Sequence, residues 1–177
     1  VTLGAMLATK MGVMGGAMQI AAHAAGKMTL FMCAGAIYVA SHKTLVSELR
    51  GLGRKMPLTF IAFFIGAMSI VGLPPMAGSW PKFLLMLGAA DAGELAIIAV
   101  LVISSLLNVA YLLSIPVQAF YLEPAVEGGK PQGSGAKAID WRNIEEAPLL
   151  CVIPPIITAL FALLLFIFAD PLFAYLA

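Results

Sequence analysis

Charged side chains are scarce in this sequence. Asp, Glu, Lys and Arg together make up 11% of its 177 residues, whereas a soluble domain carries roughly 25%. Hydrophobic residues make up 62%, and the mean hydropathy is +1.01. This composition excludes an ordinary soluble domain and predicts an integral membrane protein. The formal net charge of +1 by itself says nothing about nucleic acid, and we predict no nucleic-acid partner.

Cysteine and cofactor motifs are scarce as well. Cys33 and Cys151 both lie in apolar segments, without a metal-like spacing or a disulfide framework, so we predict no metal site. The pair Gly51 and Gly53 follows no strand and lacks the remaining glycine of a nucleotide motif. There is no flavin or iron–sulfur motif, and we predict no cofactor. Whether the protein belongs to an enzyme complex stays open, since any redox chemistry would belong to partner subunits.

Long apolar runs dominate the chain, and about 20 apolar residues are enough to span a bilayer. They predict an all-α fold, a polytopic bundle of transmembrane helices of which one is broken. The chain shows no signal peptide and opens inside an apolar run, so we expect a fragment of a longer protein. We predict a first domain over residues 1–121, a polar loop over 122–147 and a final helix with its tail over 148–177. The spans of the first domain are predicted at about 11–40, 57–88 (the broken helix) and 95–121.

The broken helix carries the first candidate functional residue. Leu73-Pro74-Pro75 cannot continue a helix, because each proline lacks an N–H and clashes with the preceding turn. Lys82 follows this break among apolar residues. Interrupted transmembrane helices often mark transport sites, and an apolar environment favours the neutral form of a lysine. We therefore predict that Lys82 is buried beside the break and carries protons; the alternative is a structural lysine paired with an acid or reaching the surface.

His23 and Lys27 form a second candidate site. They are four residues apart within an apolar run and so share one helix face. An imidazole titrates near physiological pH, and a His–Lys pair therefore suits a proton relay. The alternative is a core histidine bonded to a carbonyl.

The third span carries a polar stripe of Ser104, Asn108, Tyr111 and Gln118. We predict that Ser104, Asn108 and Tyr111 line a hydrated pathway, with hydrogen bonding between helices as the alternative. Pro116 in the same span predicts a mild kink.

The charges between the spans indicate the topology. Residues 41–55 hold Lys43, Arg50, Arg54 and Lys55 against a single acid, Glu48. By the positive-inside rule we predict that this loop and residues 122–147 are cytoplasmic. We also expect a multi-pass protein of the bacterial inner membrane. The acidic turn at 89–94 is then external. Two acids, at 145 and 146, precede the last span, where the positive end of a helix dipole favours them.

Several of these stretches together resemble a known family. Residues 23–35, HAAGKMTLFMCAG, are similar to the H-A-x-x-K-x-x-L-F-x-x-A-G stretch of antiporter-like membrane subunits. Such subunits occur in respiratory complex I, membrane-bound hydrogenases and Mrp-type cation/proton antiporters. The loop LRGLGRKMP at 49–57 and the segment SIVGLPP at 69–75, with Lys82 after it, also match. SSLLN at 104–108 and EAP at 146–148 look most like the D subunit of Mrp antiporters.

The resemblance implies a bundle built from inverted repeats, of which this chain would be most of the second repeat and a final helix. It implies that Lys27 and Lys82, with His23 as neighbour, belong to a chain of buried charges that passes protons. Two departures are Pro81, where the family usually has serine, and Ser79, where it has an aromatic residue.

The implied function is proton translocation as part of a Na⁺/H⁺ antiporter subunit of Mrp type. The first alternative is a proton-pumping subunit of an NADH-quinone oxidoreductase or a membrane-bound hydrogenase. The second is a purely structural membrane subunit. The implied partners are other membrane subunits of a hetero-oligomeric complex, the lipid bilayer and protons, with Na⁺ as an open alternative.

Overall fold

The computed structural model describes residues 1–122, 144–169, 171 and 174. Most of the predicted cytoplasmic loop at 122–147 and part of the C-terminal tail therefore lie outside the described residues. Within the described part the secondary structure is helical, without a strand. Seven α-helices follow one another there: α1 (Thr2–Leu7), α2 (Lys10–Ser41), α3 (Pro57–Val71), α4 (Ser79–Asp91), α5 (Leu95–Asn108), α6 (Ser114–Tyr121) and α7 (Leu149–Ile167). The predicted all-α fold with one broken helix is confirmed.

Three helices of the described part are long and apolar enough to cross a membrane: Lys10–Ser41, Leu95–Tyr121 and Leu149–Ile167. The second of these joins α5 to α6 through a π-helical segment, Val109–Leu113. The broken helix consists of α3, with 15 residues, and α4, with 13 residues. Neither half reaches the length that a full span needs, so the two together form one interrupted span.

Helix α2 is the centre of the bundle, and it packs against α1, α3, α4 and α7. It begins where the Thr9 hydroxyl accepts a hydrogen bond from the backbone N–H of Gly12, at 3.1 Å. A Cβ at Gly15 would lie 2.9 Å from the carbonyl oxygen of Pro81, and one at Gly88 would lie 2.5 Å from the N of Gly12. The backbones of α2 and α4 therefore touch, which small residues permit between membrane helices.

The break begins at Gly72, one residue before the predicted position. Gly72 ends α3 in the left-handed conformation (φ +82°), which glycine adopts without a Cβ penalty. The chain then turns until Ser79, whose N–H and hydroxyl both donate to the carbonyl of Met76. Gly78 lies directly against α3, since a Cβ there would overlap the carbonyl oxygen of Ser69. The break is therefore folded back onto α3.

The π-helical segment Val109–Leu113 lies just before Pro116 in the third span. Proline has no N–H for the carbonyl of Leu112, which is the physical basis of the predicted kink. The structure resolves this conflict by a local change of helix type, of the sort that π-bulges provide. Pro116 is fully buried.

The basic loop (residues 41–55) and the last turn of α6 lie together at one end of the bundle. The Nε of Arg54 donates to the carbonyl of Phe120 at 2.9 Å, and the N–H of Glu145 donates to the carbonyl of Lys55 at 2.9 Å. At the other end, the Thr9 hydroxyl donates to the carbonyl of Gly88. Residues 41–55 and 144–148 therefore lie at the same end, and the turn after α4 lies at the opposite end.

Glu146 differs from its predicted place at the start of the last helix. Its carboxylate accepts from the backbone N–H of Leu58 and from the hydroxyl of Thr59, both at 2.7 Å. It therefore caps α3, whose first N–H groups have no helical partner. Helix α7 instead begins at Leu149, and its N-cap residue, Pro148, provides no side-chain cap.

Candidate functional site at the helix break

Lys82 lies in the first turns of α4, and its ammonium group joins three helices. Nζ donates to the carbonyl oxygen of Val71, at the end of α3, and to the hydroxyl of Ser105 on α5, at 3.0 Å. The side chain is half-buried, so it is less enclosed than predicted. Its Nζ contacts the carbonyl oxygen of Val71 directly, at the end of α3 and just before the break. Lys82 therefore lies between α3, α4 and α5.

Gly72 makes room for this lysine. A Cβ at Gly72 would lie 2.7 Å from Cδ and 3.1 Å from Cε of Lys82. The aliphatic part of the lysine therefore passes directly over the glycine to reach Val71. The left-handed turn at Gly72 thus both ends α3 and provides the surface on which Lys82 lies.

Pro81 is compatible with the start of α4. Helix α4 begins at Ser79, so Pro81 lies in the first turn, where the missing N–H would have had no helical partner. Its ring is fully buried and its carbonyl faces Gly15 of α2. Pro81 therefore fixes α4 against α2 and leaves the neighbouring Lys82 directed toward the break.

Ser105 is the residue at this site that sequence reasoning missed. The predicted stripe contains its neighbour Ser104, which is exposed, whereas Ser105 is half-buried and bonds Lys82. The two serines are adjacent in sequence, and only the rotation of α5 against α4 decides which one meets the lysine. Farther along, Tyr111 donates to Asn108 at 2.6 Å and its side chain is 56% exposed. The predicted stripe therefore bonds within itself at Asn108 and Tyr111, away from Lys82.

His23 and Lys27 lie one turn apart on α2. His23 is half-buried and lines a cavity of about 450 Å³ together with Gln19 and Val1. Lys27 is exposed on the described surface. His23 and Lys27 therefore share α2, whereas Lys82 lies at the helix break on α4.

Two buried hydroxyl groups lie between α2, α3 and α7. The Thr29 hydroxyl is fully buried, donates to the carbonyl of Ala25 at 2.9 Å and lies 2.8 Å from the hydroxyl of Thr158. The Ser69 hydroxyl is also buried and has no hydrogen-bond partner among the described residues. Ser69 is two residues before Val71, so it places an unused polar group next to the break. In the part of the chain that the structure describes, no cluster of His, Cys, Asp or Glu could hold a metal ion.

Comparisons with known proteins agree with this architecture. The sequence model of the family described as NADH:quinone oxidoreductase/Mrp antiporter, transmembrane, matches residues 1–108. The N subunit of the NADH-quinone oxidoreductase of Desulforudis audaxviator is 31% identical over 173 residues, which is 96% of this chain and 34% of that protein. The D subunit of the Na⁺/H⁺ antiporter of Bacillus subtilis is 34% identical over 113 residues, 64% of this chain and 23% of that protein.

Among solved structures, a chain of the Mrp complex from Dietzia sp. DQ12-45-1b matches with a TM-score of 0.77 and 29% identity. The match covers 96% of this chain and 37% of that one, so this chain spans about a third of the length of these relatives. The helix bundle, the interrupted span and these matches define a membrane-spanning protein. The chain belongs to the NADH:quinone oxidoreductase/Mrp antiporter transmembrane family.

Proposed function

We propose that this chain is the part of a cation/proton antiporter subunit of Mrp type that moves protons across the membrane. The observation that carries the proposal is the position of Lys82, an ionisable side chain held at the interruption of a membrane span. Intramembrane charges are rare, and they mark ion pathways and proton relays. The name of the Bacillus subtilis relative, a Na⁺/H⁺ antiporter subunit, supports this class.

The two acceptors of Lys82 differ in a way that suits proton transfer. The carbonyl of Val71 can only accept a hydrogen bond, so it favours the ammonium form. The hydroxyl of Ser105 can accept from the ammonium and, after rotation, donate to the neutral amine. Ser105 therefore keeps Lys82 hydrogen-bonded in both protonation states, and it is a positioning residue for the proposed carrier.

His23 and Lys27 would extend the pathway along α2. His23 and Lys27 are one turn apart on α2, so they can act as a pair in such a pathway. Ser104, Asn108 and Tyr111 remain proposed lining residues, farther along the third span.

The proposed setting is the bacterial inner membrane. Residues 41–55 and the loop at 122–147 would face the cytoplasm, and other membrane subunits would complete the complex. We also propose that the chain divides into a transport part at 1–121, a loop at 122–147 and a final helix with its tail at 148–177. The proposed exchanged cation is Na⁺. A second candidate function is a proton-pumping subunit of a quinone oxidoreductase, and the 31% identity with the N subunit of an NADH-quinone oxidoreductase favours it. Cation-dependent proton exchange without a quinone reductase partner would separate the first function from the second.

Substitutions of Lys82 in the full-length protein test the proposal. We expect Lys82→Leu to abolish proton exchange in inverted membrane vesicles, and Lys82→Glu to retain part of it because a carboxyl group also carries a proton. Lys10→Leu is the matched control, since Lys10 is an exposed lysine at the start of α2. Full exchange activity in Lys82→Leu would refute the role of Lys82. A variant that no longer assembles would instead support a purely structural lysine.

Lys27→Ala tests the α2 part of the pathway separately. We expect a severe loss of exchange with normal assembly, measured over a pH series. Normal exchange at every pH would remove Lys27 and the relay through His23 from the proposal, while Lys82 could still stand.

A further inference from the structure

A basic cavity of about 330 Å³ lies at the end of the bundle where α2 ends and α3 begins. Its polar lining consists of Ser41, Lys43, Arg50, Lys55 and Glu145, and its apolar lining includes Leu52 and Met56. This end also holds the basic loop, so the cavity opens where the bundle would meet lipid headgroups. None of its residues belongs to the site at the helix break.

The described lining carries three cationic groups against one carboxylate. Glu145 is already paired with Lys55, at 2.9 Å, and Lys43 donates to the carbonyl of Glu48 at 3.1 Å. The Nε of Arg50 is buried and has no hydrogen-bond partner in the described part of the chain. A buried guanidinium nitrogen without an acceptor is costly. Among the described lining residues the one carboxylate is thus paired with Lys55 and none pairs with Arg50. A phosphate would match the fork of the arginine.

A second cavity, of about 390 Å³, shares Lys43 with the first. The rest of its lining is almost entirely apolar and includes Ala34, Tyr38 and Phe63. Ala34 lies about two turns before the end of α2, or roughly 10 Å deeper at the helical rise of 1.5 Å per residue. The second cavity, which we call the groove, therefore runs from Lys43, beside the basic cavity, toward the hydrophobic part of the bundle.

We propose that these two cavities together bind one anionic phospholipid, with its phosphate at Arg50 and Lys43 and an acyl chain in the groove. The shared wall at Lys43 favours a lipid over a free phosphate, which would leave the apolar groove unused. Basic pockets between membrane helices on the cytoplasmic side are suited to acidic headgroups. The charge balance selects an anionic lipid, because a zwitterionic headgroup brings its own cation.

The test uses the full-length protein in nanodiscs that contain phosphatidylglycerol or phosphatidylcholine with a photoactivatable acyl chain. We expect crosslinks from phosphatidylglycerol to map to the groove around Tyr38 and Phe63. Removal of one cation near an acidic surface weakens binding about fivefold. Arg50→Gln and Lys43→Gln should each reduce crosslinking by about that factor, and Lys10→Gln, at the other end of α2, should leave it unchanged.

Three outcomes would overturn the proposal. The first is equal crosslinking of phosphatidylglycerol and phosphatidylcholine to the wild-type protein. This comparison needs no variant, so it decides the case even if Arg50→Gln does not fold. The second is phosphatidylglycerol crosslinking that is insensitive to both substitutions. The third is binding of inorganic phosphate that depends on Arg50 but does not reduce lipid crosslinking in the groove. That result would make the basic cavity a site for free anions.

Discussion

Gly72 is the position where a single methyl group tests the proposed role of the helix break. Replacing it with alanine has two costs. The left-handed backbone (φ +82°) costs an alanine about 1–2 kcal/mol. The new Cβ would also lie 2.7 Å from Cδ of Lys82 and 3.0 Å from the carbonyl oxygen of Gly78. Because Nζ is held by Val71 and Ser105, the lysine cannot move aside without losing a hydrogen bond.

Gly93 is the matched control, because it has the same backbone conformation and open space around it. Its φ is +74°, and a Cβ there would have nothing within 4 Å among the described residues. Gly93→Ala therefore carries the backbone strain alone. The difference between the two variants therefore reports the contacts of the new Cβ with Lys82 and with the carbonyl oxygen of Gly78. A hydrogen bond to a charged group contributes about 1.5–3 kcal/mol, and a tenfold change in rate corresponds to about 1.4 kcal/mol.

We therefore expect Gly72→Ala to lower proton exchange at least about tenfold relative to Gly93→Ala. The assay is exchange in inverted vesicles, normalised to the amount of assembled protein. Equal activity of the two variants at equal assembly would refute the reasoning, since Lys82 would then tolerate displacement from Val71. A fall in assembly that is confined to Gly72→Ala would indicate instead that the break is a structural joint.

Three further predictions follow from other contacts. Glu146→Ala should lower the free energy of unfolding by about 1–3 kcal/mol, because it leaves the fully buried Thr59 hydroxyl without its acceptor. Glu145→Ala, which removes an exposed ion pair, should change the free energy of unfolding by no more than about 1 kcal/mol, and detergent denaturation compares the two variants. Gly15→Ala should weaken the packing of α2 on α4, and Gly35→Ala, which has nothing within 4 Å in the described part of the chain, should be tolerated, as measured by the yield of folded protein. A cysteine placed after α4, at position 92, should react with an external impermeant thiol reagent and one placed in the basic loop, at position 44, should not; the opposite pattern would invert the proposed topology.

The helices and the break were predictable because their causes are local. Hydropathy over about 20 residues identifies a span, and adjacent prolines stop a helix wherever they occur. The break at Gly72 and the first turn of α4 at Ser79 follow from backbone rules that act over a few residues. The family resemblance was likewise carried by short motifs whose order along the chain is visible without a structure, and the comparisons confirm it.

The residue partners were not predictable, because they depend on how distant helices rotate against one another. The sequence contains Ser104 and Ser105 side by side, and only packing directs Ser105 toward Lys82. Glu146 shows the same limit. Its local context points to the start of α7, yet it binds the start of α3, 87 positions away along the chain. The dipole argument shows that a carboxylate is favourable at a helix N-terminus, and the fold decides which helix provides that N-terminus.

The break also explains why a lysine can stand at the start of a helix. The positive end of the α4 dipole disfavours a cation in its first turns, where Lys82 lies. Helix α3 ends at Val71, shortly before α4 begins at Ser79, and its last carbonyls form the negative end of a second dipole. The ammonium reaches back over Gly72 to the carbonyl of Val71. Its attraction to the negative end of the α3 dipole then offsets its repulsion from the positive end of the α4 dipole. A continuous helix would offer neither a free carbonyl nor an opposing end at this depth. The interruption of the span is therefore what makes a titratable lysine tolerable there.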